Sequence, residues 1–215
     1  MTKILNQTLK QILKKYPNEL GRKLLHIVTV ALCLGLVSIF NPGIVVFIIS
    51  CITLLVFLVD TLNLLDFFKN VRRISFGHYF MALGIIVTLL FYSVFTNYAA
   101  LVFAFLVLGV CDPLAVFGKP AYNFLVGTSS FTWLKGLTFR GKTITGSLIF
   151  LVSSILLTIT FLLLTGASLE IKLLIKLLVS LIILTGIEFW SVWGVDNLTL
   201  PVGAFALYQF ITLPS

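Results

Sequence analysis

Charge is scarce in this chain of 215 residues: only 10% are Asp, Glu, Lys or Arg, against about a quarter in an ordinary soluble domain. Set beside a hydrophobic content of 60%, that shortage excludes a conventional water-soluble fold. Cysteine is equally thin. Cys33 and Cys51 lie in apolar runs and Cys111 stands beside Asp112, so the chain has neither a disulfide framework nor a metal-binding spacing. No internal repeat and no low-complexity segment occurs. The basic N-terminal stretch is not followed by a small-residue cleavage site, so no cleavable signal peptide is expected. The net charge of +8 is not read as a nucleic-acid surface, because basic loops are the ordinary mark of a membrane protein's cytoplasmic face.

What the chain does have is a succession of apolar runs long enough to cross a bilayer. The expected architecture is an all-α, polytopic transmembrane bundle of about seven spans. These cover about Glu19–Phe40, Ile44–Asp60, Tyr79–Phe95, Tyr98–Phe117, Thr143–Leu164, Ile171–Phe189 and Leu198–Leu213. The last is short for a full crossing at ~1.5 Å per residue. Residues 1–17 form a separate unit. Leu5, Leu9, Ile12 and Tyr16 recur at helical spacing with lysines between them, which predicts a basic amphipathic helix lying on the membrane surface. Pro17 breaks it and Asn18 is a candidate cap for the next helix. Residues 18–215 are then expected to form one integral membrane domain.

Lysine and arginine set the expected orientation. Residues 1–23 hold six, 60–78 three and 118–142 four, so 13 of the 15 fall on one side. The positive-inside rule puts that side, and the N-terminus, in the cytoplasm. Six of the seven acids (Glu19, Asp60, Asp66, Asp112, Glu188 and Asp196) then share the same edge, with Glu170 on the other. That pattern predicts a multi-pass protein with a polar site open to the cytoplasm.

Five stretches carry the candidate chemistry. Glu19, Arg22, Lys23 and His26 share one helical face; Glu19 and Lys23 are equally explained as a cap and a snorkelling side chain, whereas His26 lies deep enough to need a partner. Asp60 and Asn63 stand one turn apart near Gly77 and His78, while Asp66, Arg72 and Arg73 read as solvated residues. Asp112 is a carboxylate still flanked by apolar residues, costly unless paired or metal-bound, and Pro113 after it frees a backbone carbonyl and bends the helix. Gly136–Thr143, GLTFRGKT, satisfies the Walker A pattern, but no buried strand precedes it and a transmembrane helix follows, which excludes a P-loop fold. Its physics is still that of an anion site, with Lys142 and Thr143 at a helix N-terminus and Lys119, Lys135 and Arg140 nearby. Last, Glu188–Pro201 places Glu188 and Ser191 one turn apart, followed by Gly194, Asp196 and Asn197. The plain alternative there is that Asn197 or Thr199 caps a helix ahead of Pro201.

Taken in order, these blocks resemble the CTP-dependent lipid kinases: dolichol kinase, phytol kinase and the CTP-dependent diacylglycerol kinases. Phosphatidate cytidylyltransferase is a more distant likeness. The resemblance is carried by Glu19-x-x-Arg22-Lys23-x-x-His26, by Asp112…Ala115…Gly118, by Gly141-Lys142-Thr143…Gly146-Ser147 and by Glu188…Ser191…Gly194-x-Asp196-Asn197-Leu198-Thr199-x-Pro201. It departs from the family at Cys111, where glycine is usual, and at Pro113. The long lysine-aspartate and histidine-glycine-glycine signature that closes the cytidylyltransferases is missing, which favours a kinase.

The resemblance implies a membrane transferase moving the γ-phosphoryl group of CTP, or another nucleoside triphosphate, to the hydroxyl of a polyprenol, a phytol-like alcohol or diacylglycerol. Phosphoryl transfer is mainly positioning and charge neutralisation, so carboxylates holding Mg²⁺ and a basic phosphate cradle suffice. Asp112, Asp196 and Glu188 are the candidate metal ligands and, with His26, the candidate catalytic residues. Arg22, Lys23, Lys135, Arg140, Gly141, Lys142, Thr143, Ser191 and Asn197 are the candidate nucleotide or substrate contacts. The alternatives are a cytidylyltransferase making a CDP-lipid and, from another class, an ion-coupled transporter using Asp60, Asp112 and Glu188 as a relay. Transporter sites sit near the bilayer midplane, away from the edge where these acids cluster.

Overall fold

A computed structural model describes residues 17–62, 77–118, 138–139, 142–166 and 170–212. Among these residues the chain is helical apart from one small hairpin. The helices are α1 (Pro17–Ile39), α2 (Pro42–Thr61), α3 (Gly77–Phe95), α4 (Tyr98–Ala115), α5 (Ile144–Leu164), α6 (Ile171–Trp190) and α7 (Asp196–Thr212). Strands β1 (Thr138–Phe139) and β2 (Lys142–Thr143) pair antiparallel, Phe139 opposite Lys142, just ahead of α5.

The seven expected spans therefore appear as seven helices, of which five, α2 to α6, are long and apolar enough to cross a membrane. The other two fall short for different reasons. The apolar part of α1 begins only at Lys23, and α7 has 17 residues, about 26 Å of helix. Large apolar side chains such as Leu32, Phe47, Leu54, Val152 and Leu164 face outward. In water such a surface would be a liability; in a bilayer it is the required one. The boundaries differ from the expected ones in instructive places. Helix α1 starts at Pro17, the position proline favours, so Asn18 lies within its first turn rather than capping it. At the next turn Asn41 does cap: its Oδ1 accepts from the Gly43 N–H at 2.9 Å, ahead of Pro42 in the first turn of α2. The residues 1–16, and with them the expected surface helix, lie outside the described residues.

Helix α4 is the hub. In this helix 61% of residues are buried, against 11% over Pro42–Val59 in α2, and it packs on α1, α3, α5 and α7. A helix apolar on every side belongs in the interior, and Ala100 and Ala104 let neighbours approach closely. Near its end α4 changes gauge. Pro113 has no N–H to give and would press its ring on the preceding turn. The chain answers with a π-helical turn, Val107–Cys111, in which the Asp112 N–H bonds to the Val107 carbonyl. A short α-helical turn, Asp112–Ala115, follows.

Contacts between helix termini show which ends lie together. Lys23 near the start of α1 meets Asp112 near the end of α4. Gly118, just past α4, lies against Gly146 in the first turn of α5 so tightly that a Cβ on Gly118 would stand 2.1 Å from the Gly146 Cα. Asn197 at the start of α7 donates from Nδ2 to the Gly77 carbonyl at the start of α3, 2.8 Å away. At the opposite end of the bundle, Asn97 Nδ2 donates to Gln209 Oε1 at 3.1 Å. Helix α7 gains its close seat on α3 from a matched pair. Pro201 leaves the Asn197 carbonyl without its helical donor, and Gly84, whose Cβ would be 2.4 Å from that oxygen, makes room for it. Asp112, Glu188 and Asp196 thus gather at one end of the bundle, and Glu170 begins α6 at the other.

Candidate functional site

Two charged groups occupy that end. In the first, Asp112 Oδ2 receives both the Lys23 ammonium and His26 Nδ1, the latter at 3.1 Å. Lys23 and His26 are one helical turn apart on the buried face of α1, and all three side chains are almost fully enclosed. The carboxylate can only accept, so His26 Nδ1 carries the proton in this bond. The cost of burying Asp112 is offset by two donors on the same oxygen.

In the second group the shared atom is a cation. Lys142 Nζ donates to Glu188 Oε1 at 2.8 Å, to Asp196 Oδ2 at 2.9 Å and to the Glu188 carbonyl oxygen. The hairpin delivers Lys142 to the end of α6 and the start of α7, where both carboxylates are buried. Ser147 Oγ donates to the other Glu188 oxygen, Oε2, at 2.8 Å. The second Asp196 oxygen, Oδ1, accepts the Asn197 N–H at 3.1 Å, at the positive end of α7. Burial pushes the Lys142 ammonium toward neutrality, but the Asp196 and Glu188 charges outweigh it and hold its pKa above the usual lysine value.

The neck joining hairpin to helix is ordered locally. Thr143 caps α5, its Oγ1 accepting from the Gly146 N–H at 3.2 Å. Thr145 Oγ1 donates to the Gly118 carbonyl at 2.6 Å, tying the end of α4 to the start of α5. One of the N-terminal amides that an anion would use is thus already bonded to Thr143.

The expected site residues divide as follows. Glu188, Asp196 and Lys142 come together; Lys23 and His26 meet Asp112 instead. Asp112 is therefore joined to Lys23 and His26 rather than to Glu188 and Asp196, and among the described residues no three His, Cys, Asp or Glu side chains converge as ligands for one ion. Ser191 turns back on its own helix, its Oγ donating to the Ile187 carbonyl at 2.6 Å. Asn197 spends its side-chain amide on Gly77, and since α7 begins at Asp196 neither Asn197 nor Thr199 caps it. Lys119, Lys135, Arg140, Gly141, Asn63, Asp66, Arg72 and Arg73, and the side chains of Glu19, Arg22 and Asp60, lie outside the described residues. The sequence reading missed Ser147 as a site residue. Its signal was available: Ser147 closes the Gly141-Lys142-Thr143…Gly146-Ser147 block and lies in the first turn of α5.

Comparisons with family models, with curated proteins and with solved structures find no match. The likeness to the lipid kinases rests on the ordered blocks of residues alone. Two of those blocks, Gly141–Ser147 and Glu188–Pro201, supply Lys142, Ser147, Glu188 and Asp196, and the other two supply Lys23, His26 and Asp112.

Between Glu188 and Asp196 the chain turns sharply. Trp193 and Gly194 both have positive φ, 55° and 87°, and a Cβ on Gly194 would lie 2.5 Å from the Gly77 Cα. Glycine is required there for conformation and for space. Trp190 and Trp193 stand exposed at this end, where aromatic side chains suit the membrane–water boundary.

Proposed function

We propose that the chain is a membrane-embedded transferase that moves the γ-phosphoryl group of a nucleoside triphosphate, CTP by the resemblance, to a lipid hydroxyl at the cytoplasmic edge of the bilayer. One observation carries the reading: cations and carboxylates from α1, α4, β2, α6 and α7, with the Ser147 hydroxyl of α5, gather at a single end of an otherwise apolar bundle. A reaction between a water-soluble nucleotide and a lipid needs its charged machinery at the membrane edge, with an apolar flank for the acceptor's tail. The basic residues concentrated at this edge support its facing the cytoplasm. The same clustering speaks against a transporter relay, which would need acids near mid-depth.

The donor set fits a magnesium-bound phosphate. Magnesium takes one or two carboxylates and completes its shell with phosphate and water, and Glu188 and Asp196 are two carboxylates that already close on one cation. These two would hold it, and when bound it supplies neutralisation of the phosphate charge. Lys142, with the basic residues around it in sequence, serves the phosphates. Asp112 has a different task from metal binding: it fixes Lys23 and the His26 ring beside the site. In the transfer, the bond from the γ-phosphorus to its bridging oxygen breaks and a bond to the lipid oxygen forms. CDP leaves, and the hydroxyl proton passes to a carboxylate of the Glu188–Asp196 pair. Purified protein with labelled CTP, Mg²⁺ and mixed lipid alcohols tests this. The expected products are CDP and a phosphorylated lipid; diphosphate and a CDP-lipid would mean a cytidylyltransferase. No transfer, or undiminished transfer in Asp112→Ala, overturns the proposal.

A further inference from the structure

An ammonium has three N–H donors, and Lys142 has spent all three, on the Glu188 carbonyl, Glu188 Oε1 and Asp196 Oδ2. It has none left for a phosphate. The carboxylates close on the same ammonium, so the place between them that a metal would take is filled, while Ser147 and the Asn197 N–H bond their other oxygens. Neither the phosphate role of Lys142 nor the metal role of the carboxylates can begin from this arrangement. Both need the same change.

We propose that Lys142 is a displaceable internal counter-ion. It occupies the place between Glu188 and Asp196 that a divalent cation takes when the nucleotide arrives, and it then turns its freed N–H groups to the phosphates. The inference rests on the reading above and adds how the site is regulated: metal and nucleotide bind together, because each satisfies what the other displaces. Three features make the exchange feasible. Lys142 sits on a two-residue strand rather than in a packed helix. Its side chain is 22% exposed, against 7% for Lys23, so it has an outlet to solvent. Glu188 and Asp196 belong to different helices, each with a second partner that keeps its carboxylate in place when the lysine leaves.

The test needs neither CTP nor lipid. Manganese, which reports its own binding by electron paramagnetic resonance, is titrated into the detergent-purified full chain. Lys142→Met removes the competing cation and leaves two carboxylates, so it should bind Mn²⁺ about tenfold or more tighter than wild type. The gain should vanish in Lys142→Met with Asp196→Asn. A lysine acting only as a phosphate contact or structural tie gives no such gain, and Lys142→Met binding no tighter than wild type overturns the proposal. A second measurement uses the wild-type chain, in case the variant does not fold. Modification of Lys142 by an amine-reactive reagent, read by mass spectrometry, should rise several-fold with millimolar Mn²⁺. Unchanged or reduced modification overturns the proposal. Manganese effects without phosphoryl transfer would refute the kinase reading and leave the exchange standing; transfer without them would do the reverse.

Discussion

The two charged groups at the end of the bundle are built inversely. Around Asp112 one carboxylate oxygen collects two donors, the Lys23 ammonium and the His26 ring; around Lys142 one ammonium collects two carboxylates. The first joins two helices deep in the fold, with Asp112 2% exposed, and its geometry is set by helix packing. The second hangs from a hairpin and has a solvent outlet. A buried charge with its partners on rigid helices can only be kept or lost, because removing a partner leaves the other stranded. A charge on a short strand between two anions can be traded for another cation. The difference separates a group that positions from a group that exchanges.

The comparison breaks most directly at Asp112. Asp112→Asn leaves the Lys23 ammonium buried without its counter-charge and should cost about 3–5 kcal/mol of stability, read as a lowered unfolding midpoint in detergent. Gly118→Ala comes next, because it strikes the seam between the groups. Its Cβ would overlap Gly146 and push the end of α4 away from the neck of the hairpin, at about 1–3 kcal/mol. Transfer should fall with it even when the remaining protein is folded, and full activity in this variant would show that the two groups work apart. Lys142→Met strands two buried carboxylates and should lower stability too, but Mn²⁺ should restore it because the cation takes the lysine's place, while transfer falls by about 100-fold or more. If Mn²⁺ rescues the unfolding midpoint of Lys142→Met no more than that of Asp112→Asn, the distinction between positioning and exchange is lost.

Much of this was legible in sequence because a bilayer leaves the backbone few choices. An apolar run in lipid must be a helix, so the third and fifth spans fall within two residues of the observed α3 and α5. The gathering of Asp112, Glu188 and Asp196 at one end followed from counting helices and basic residues. Partner choice did not follow. Nothing local says that Asp112 meets Lys23, 89 residues away, instead of Glu188, because that is decided by how α1 seats on the π-helical part of α4. The π turn itself was announced only by Pro113. The partner of Asn197 was hidden for the same reason: a polar side chain beside two acids suggests a substrate contact, and only the packing of α7 on α3 brings one of its amide N–H groups to the Gly77 carbonyl.

The smallest effect is the one pH should have, and its sign follows from Lys142. Glu188 and Asp196 face its ammonium and raise its pKa in the folded chain above the ordinary value of about 10.5. A raised pKa means that folding favours the charged form. The stabilisation is therefore complete below about 10.5 and is lost as pH climbs through the folded value. Wild type alone would not isolate this contribution, because alkaline pH acts on the whole chain. Lys142→Arg is the control, because its guanidinium stays charged throughout. The difference in unfolding midpoint between the two proteins should be flat from about pH 7 to 10 and should shift against wild type above that. A difference already changing between about pH 7 and 9 would mean that Lys142 loses its proton near neutrality, and an uncharged amine could not serve as the counter-ion of two carboxylates.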